Sequence, residues 1–218
     1  RCLFEAKMTR LLQHPNIITI HDIGIDETSE PYFTMELKDG PSLLDLIDDD
    51  NAHQQDDRME VLFGMFFKIC DAMSYAHEKG VIHLDLKPEN IQVGQHGEVM
   101  VCDWGIGKVY KNQALSTTMN DDQKEFRDLF YEGTRHGRIK GSIGFMAPEQ
   151  ANGQHLSPAT DIYSMGCILY GMLSKHSPVS SQDKDWLRKT TLGIIVPIHK
   201  IKSKQTFPKA VVHVVEKA

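Results

Sequence analysis

The side chains equipped for chemistry fall in three short clusters in the middle of the chain. The first is His83-Leu84-Asp85-Leu86-Lys87-Pro88-Glu89-Asn90, the second Asp103-Trp104-Gly105, and the third Gly141-Ser142-Ile143-Gly144-Phe145-Met146-Ala147-Pro148-Glu149. Asp161 follows at the head of an apolar run. Carboxylate, ammonium and carboxamide groups are the types that take up a proton, balance negative charge and offer hard oxygens to a cation. Each cluster is weak evidence alone. An isolated Asp before Leu-Lys-Pro can cap a turn, and Asn90 can close an Asx turn. The ordered set carries the information. Other chemistries lack support: the 11 histidines form no HExxH or His/Cys cluster, and no two of Cys2, Cys70, Cys102 and Cys167 lie at metal-ligand spacing.

The elements that must position these residues follow from periodicity. Leu3, Phe4, Met8, Leu11 and Leu12 recur at helical spacing, which predicts a helix over 3–13 ahead of Pro15. Strands are predicted over 16–25 and 32–37, with a turn at Thr28-Ser29-Glu30-Pro31 between them. Asp39-Gly40-Pro41 breaks the chain, and Ser42 caps a short helix over 43–47. The acidic stretch 48–57 reads as a solvated loop, with an acidic docking site as the other reading. A long helix over 59–77 carries the stripe Leu62, Met65, Phe66, Ile69, Met73 and Ala76, and Gly80 ends it. Asn90–Val93 and Glu98–Cys102 flank Gly94-Gln95-His96-Gly97 as a hairpin, so its two ends bring Asn90 and Asp103 to one edge. Residues 108–141 show little periodicity and read as a long connecting segment. Ser157-Pro158 opens a helix with an apolar run from Ile162 to Leu173, and 211–217 begins another.

Composition narrows the class. Of 218 residues, 40% are hydrophobic and 25% charged, the balance of a globular domain. With 24 basic against 30 acidic residues the net charge is −6, which argues against a nucleic-acid partner. No apolar run approaches the length of a membrane helix, and the start lacks the pattern of a signal peptide. Four scattered cysteines read as reduced thiols in a cytoplasmic protein.

Together the three clusters closely resemble the signature set of protein kinases: catalytic loop, magnesium motif, activation segment and Ala-Pro-Glu. Lys87-Pro88-Glu89-Asn90 resembles the serine/threonine type, and Ala147-Pro148-Glu149-Gln150 with Asp-Trp-Gly looks most like the bacterial, eukaryotic-like (Hanks-type) members. The resemblance implies an α+β, two-lobed fold. Residues 1–37 would be part of the N-lobe (the family's αC helix and two strands), and 38–218 a mostly helical C-lobe with its activation segment at 103–149. It implies ATP and Mg²⁺ as cofactors and a protein Ser/Thr hydroxyl as acceptor. Asp85 would orient that hydroxyl and take its proton, Lys87 would balance charge on the γ-phosphate, and Asn90 and Asp103 would hold the metal. Glu5 stands where the αC glutamate would sit. Met35-Glu36-Leu37-Lys38 looks like the gatekeeper and hinge, with Met35, Glu36 and Lys38 beside the nucleotide and Gln92 under its adenine ring. By the same resemblance His83 and Asp161 are structural, Asp161 bonding the catalytic-loop backbone.

The departures from the pattern are informative. Leu84 replaces an arginine that pairs with a phosphorylated activation loop in many members, so activity is expected not to depend on that switch in the usual way. By the resemblance, Ser142 keeps a hydroxyl where threonine is usual in the loop that contacts the catalytic aspartate. Gln92 puts a polar amide where an apolar residue is usual, and Trp104 replaces phenylalanine. Cys102 reads as a buried small hydrophobe, with a reactive thiol as the lesser reading. Ser116, Thr117, Thr118 and Thr134 offer phosphate acceptors and Arg135, Arg138 and Lys140 partners for them; a solvated insertion is the other reading. The glycine-rich loop and strand lysine that precede αC are not seen ahead of Glu5, and the arginine that would pair with Glu149 lies past the region covered. The chain therefore reads as a kinase fragment with little activity alone. The alternative is a pseudokinase or remnant acting as a protein-binding module. A small-molecule phosphotransferase is disfavoured by Ala147-Pro148-Glu149, which shapes a protein-substrate platform in the family.

Overall fold

The computed structural model describes residues 2–37, 39–49, 55–109, 141–201 and 209–217. Lys38, residues 50–54 within the acidic stretch 48–57 and the 110–140 segment with its phosphate-acceptor candidates lie outside the described residues. Helix α1 (Cys2–Arg10) leads to the antiparallel pair β1 (Ile20–Ile25) and β2 (Pro31–Met35). Then come α2 (Leu43–Asp48), the long α3 (Gln55–Glu78) and β3 (Val81–Ile82). The hairpin β4 (Ile91–Val93) and β5 (Val99–Val101) follows, and β6 (Lys108–Val109) pairs with β3. Four helices complete the described chain: α4 (Pro148–Ala151), α5 (Pro158–Ser174), α6 (Trp186–Thr191) and α7 (Lys209–Lys217).

The apolar stripes explain the packing. On α3, Leu62, Met65, Ile69, Ala72, Met73 and Ala76 are buried at helical spacing, while Phe67 on the opposite face stays exposed. Ser157 caps α5, Pro158 occupies its first turn, and Lys175 ends it in the left-handed region at φ 60°. Nearly every residue from Gly166 to Ser174 is buried, so α5 is the central helix rather than a surface one. One core runs from Met8, Leu12 and Ile17 through Val99, Val101 and Trp104 to α3, α5, Ile198 and Val215.

Three boundaries differ by three or more residues from the sequence expectation. Helix α1 stops at Arg10, not 13, because Pro15 disfavours helical backbone just before it. Leu11 and Leu12 instead close tight turns on Met8 and Thr9, and Leu12 still reaches the core. Helix α3 starts at Gln55, four residues before the expected start at Met59. Strand β1 starts at Ile20, not Asn16, because residues 16–18 pair elsewhere. Ile17 bridges Val101, Val101 N–H donates to Asn16 O at 2.8 Å, and Asn16 Nδ2 donates to Val99 O at 2.9 Å. That pairing binds the α1–β1 connection directly to the hairpin that carries the candidate site.

Candidate active site

The alternation Leu84-Asp85-Leu86-Lys87 positions the first two polar groups. Leu84 and Leu86 are buried, 4% and 1% exposed, while Asp85 and Lys87 between and after them stay partly accessible. Pro88 then starts a single 3₁₀ turn to Asn90, closed by Asn90 N–H donating to Lys87 O at 3.0 Å. Asp85 and Lys87 side chains remain 17% and 22% exposed. Lys87 Nζ lies 3.6 Å from Asp85 Oδ2. Between them stands Ser142 from the third cluster. Its hydroxyl donates to Asp85 Oδ1 at 2.8 Å and accepts from Lys87 Nζ at 2.8 Å. One hydroxyl thus fixes both the carboxylate and the cation. Ser142 is itself held by a turn in which Phe145 and Met146 N–H groups donate to its carbonyl, and Ser164 of α5 donates to Phe145 O at 2.8 Å.

The backbone under Asp85 is unusual. Leu84 sits at φ 70°, a left-handed conformation that a leucine adopts at a cost of about 1–2 kcal/mol. Asp161, fully buried, holds it there. Asp161 Oδ2 accepts from His83 N–H and Oδ1 from Leu84 N–H, both at 2.8 Å, and Oδ2 also lies 2.8 Å from His77 Nε2 on α3. The role expected of Asp161 is therefore visible in its bonds; that of His77 was not foreseen. His83 accepts from Asp85 N–H at Nδ1 (3.2 Å), so its Nε2 carries the proton and donates to Cys102 O at 3.0 Å. Burial pushes the imidazole pKa down, which keeps this fully enclosed ring neutral. Its ring packs on Trp104 at 4.5 Å between centroids. His83 is a structural bridge between the first two clusters.

The hairpin does bring Asn90 and Asp103 to one edge. Its strands pair Ile91 with Val101 and Val93 with Val99, and Cys102 N–H donates to Asn90 O at 2.8 Å. Asn90 Nδ2 donates to Asp85 O at 2.9 Å, so Oδ1 is the amide atom that could face a cation. Asp103 is exposed at φ 58°, anchored by the buried Trp104, whose Nε1 donates to Val101 O at 3.3 Å. An amide oxygen and a carboxylate are hard donors that suit Mg²⁺, an ion that usually takes its remaining ligands from water and substrate phosphate. Among the described residues no cluster of three His, Cys, Asp or Glu could hold a metal unaided. Cys102 is half-buried with Sγ 3.7 Å from Met100 O.

Glu5 reaches the same edge. A Cβ added to Gly105 would lie 3.0 Å from Glu5 Oε2 and 3.1 Å from Asp103 Oδ1, so the missing side chain of Gly105 admits both carboxylates. The remaining candidates sit farther along the chain. Met35 is 54% exposed at the end of β2, and Glu36 N–H donates to Thr19 O at 3.1 Å. The chain then crosses β4, where Ser42 bridges Gln92 and Val93 N–H donates to Pro41 O at 3.0 Å. Gly40 makes that crossing feasible, because a Cβ there would fall 2.0 Å from Val93 O. Gln92 is half-buried beside this segment.

Gln150 carried no expected role beyond its place after Ala-Pro-Glu, yet it is buried and bonded at both ends of its amide. Nε2 donates to Leu84 O at 2.6 Å and Oε1 accepts from Ala147 N–H at 3.3 Å. Only a long-range contact reveals this, so no local pattern could have found it.

A carboxylate, a cation and a hydroxyl in one triangle, with two hard oxygen donors at the adjacent hairpin edge on an α+β frame, are groups of the kind that phosphoryl transfer calls for. The family model described as "Protein kinase domain" matches residues 1–217, and the chain belongs to that family. Among curated relatives, the "Serine/threonine-protein kinase PknD" of Protochlamydia amoebophila is 38% identical over 200 residues, which cover 87% of this chain and 20% of the relative. The proteins of the same name from Chlamydia caviae and Chlamydia muridarum are 36% identical over 194 and 191 residues, covering 82% of this chain and 20% of each relative. The chain thus spans about a fifth of the length of the curated relatives it matches.

Proposed function

We propose that this chain is the catalytic part of a bacterial-type serine/threonine protein kinase that moves the γ-phosphoryl group of ATP to a protein Ser or Thr hydroxyl, with Mg²⁺. The observation that carries this reading is the Asp85–Ser142–Lys87 triangle. Asp85 is accessible enough to accept a hydrogen bond from an acceptor hydroxyl, and Ser142 fixes the orientation of its carboxylate. As the acceptor oxygen bonds to the γ-phosphorus, the bond from that phosphorus to the bridging oxygen breaks. ADP leaves, and the hydroxyl proton passes to Asp85. Lys87, tethered to the same hydroxyl, meets the negative charge of the transferring group. Asn90 Oδ1 and Asp103 would hold the metal, whose chemistry is to neutralise phosphate charge.

Residues 1–37 are assigned to the nucleotide lobe and 38–218 to the larger lobe. In that assignment Glu5, Met35, Glu36, Lys38 and Gln92 belong to the nucleotide side. The protein acceptor is supported by the Ala147-Pro148-Glu149 segment, which Ser164 and Gln150 dock against α5 and the catalytic loop. Among the described residues no helix is long and apolar enough to cross a membrane. The free thiols of Cys70, Cys102 and Cys167 support a reducing, cytoplasmic setting for this part of the protein.

The test is phosphate transfer from radiolabelled Mg-ATP to a generic Ser/Thr protein substrate by the full-length protein. Transfer is expected, and Asp85→Asn should cut it to a small residual rate. Equal turnover by the variant would refute the assignment of Asp85.

A further inference from the structure

We propose that Gln150 is a positioning residue for Asp85, acting from the end of the third cluster through the peptide that joins Leu84 to Asp85. The inference rests on the kinase reading above and names how the catalytic carboxylate of that reading is kept in register.

Successive peptide planes around Asp85 are pinned. The two N–H groups of His83 and Leu84 end on Asp161, and the Asp85 carbonyl accepts from Asn90 Nδ2. The plane between Leu84 and Asp85 is held at both edges. Its N–H donates to His83 Nδ1, and its carbonyl accepts from Gln150 Nε2. Of these anchors, Asp161, His83 and Asn90 lie outside the third cluster. Gln150 alone reaches it from the Ala-Pro-Glu helix. The planes on both sides of Asp85 together set the direction of its Cα–Cβ bond, so loosening the Leu84–Asp85 plane weakens the hold on the carboxylate beside Ser142 and Lys87.

The chemistry of Gln fits the task. Its Oε1 is spent on Ala147 N–H, so the amide cannot flip, and its NH₂ must face Leu84 O. A glutamate of the same shape would set a carboxylate oxygen against a carbonyl oxygen. Methionine would fill the space with no donor. The left-handed Leu84 makes the anchor matter: a strained residue keeps its conformation only while its surroundings over-determine it. Leu84 is 4% exposed and apolar, so its own side chain gives this loop no charged tether. Gln150 supplies a tether that needs no added phosphate.

The experiment compares Gln150→Met and Gln150→Glu with wild type in the full-length protein, using Mg-ATP and a Ser/Thr protein substrate. Gln150→Met is expected to lower kcat about 10- to 100-fold with KM for ATP within about twofold, and Gln150→Glu to lower it further. In an Asp85→Asn background, Gln150→Met should leave the residual rate unchanged, because it acts through Asp85. Hydrogen exchange in a peptide spanning 82–86 should speed up in Gln150→Met, a readout that does not need turnover. Wild-type kcat in both Gln150 variants would overturn the proposal. So would a loss that appears wholly in KM for the protein substrate, or one that persists in the Asp85→Asn background. If wild type itself transfers no phosphate, the kinase reading fails and this inference with it; if wild type is active and the variants match it, only the inference fails.

Discussion

Replacing Asp161 by asparagine tests the frame beneath the site with a single atom. The wild-type carboxylate is fully buried and accepts at both oxygens: Leu84 N–H on Oδ1, and His83 N–H with His77 Nε2 on Oδ2. Asparagine keeps the shape but turns one oxygen into a donor. Either way the amide is placed, one backbone N–H of His83 or Leu84 then faces an NH₂ group. A buried donor left without an acceptor costs about 1–3 kcal/mol, and hydrogen bonds to a charged group are each worth about 1.5–3 kcal/mol against about 1 for a neutral one. With the NH₂ at the Oδ2 position, part of this is recovered only where His77 presents Nε2 as an acceptor. The sum is a loss of about 3 kcal/mol, roughly a hundredfold in the folding equilibrium. For a domain of this length that corresponds to a fall in Tm of about 6–12 °C. Urea unfolding followed by circular dichroism reads the same quantity as a shift in midpoint at unchanged slope. Because Leu84 loses its clamp, turnover should fall as well, measured well below the variant's Tm. A destabilisation under about 1 kcal/mol, with wild-type kcat, would refute the claim that Asp161 sustains the left-handed Leu84.

Two further outcomes follow from the same geometry. His83 is held neutral by burial, with its pKa depressed below the unfolded value of 6.5, so above that pH both states are uncharged and the residue contributes nothing to the pH dependence. Below it only the unfolded state takes up the proton, and stability falls by up to about 1.4 kcal/mol per pH unit. Stability measured from pH 7 to 5 should therefore drop less steeply in His83→Phe than in wild type, and equal slopes would show that the ring is protonated in the fold. Ser142→Ala removes the hydroxyl that joins Asp85 to Lys87 and should lower kcat about 10- to 100-fold, whereas Ser142→Thr keeps the hydroxyl and should stay within a few-fold. Steady-state kinetics on both variants checks this, and an alanine variant as active as the threonine one would remove the hydroxyl from the reading.

Much of the site was legible because chemistry of this kind is written locally. Asp85, Lys87 and Asn90 lie within six consecutive residues, and the turn at Gly94–Gly97 announces the hairpin that returns the chain to Asp103. The stripe on α3 and the Ser157-Pro158 start of α5 are likewise local signals, and both helices formed where propensity and pattern agreed. What was missed depends on partners far along the chain. Asn16-Ile17-Ile18 reads as the start of a strand, but its hydrogen bonds go to Val99 and Val101, and pairing, not composition, decided the boundary. Glu5 carries no local sign that it would meet Gly105, a hundred positions on in the chain.

The sequence by itself determined which groups are present, their order and the periodicity of the elements that carry them, because backbone preference and side-chain chemistry act over a few residues. Only the tertiary structure decided that Ser142 would bridge Asp85 and Lys87, that Asp161 and His77 would meet beneath His83, and that Gln150 would hold the Leu84 carbonyl. Those contacts join residues more than fifty positions apart, and they exist only once α3, α5 and the hairpin are packed on one core and the polar groups trapped between them must find each other.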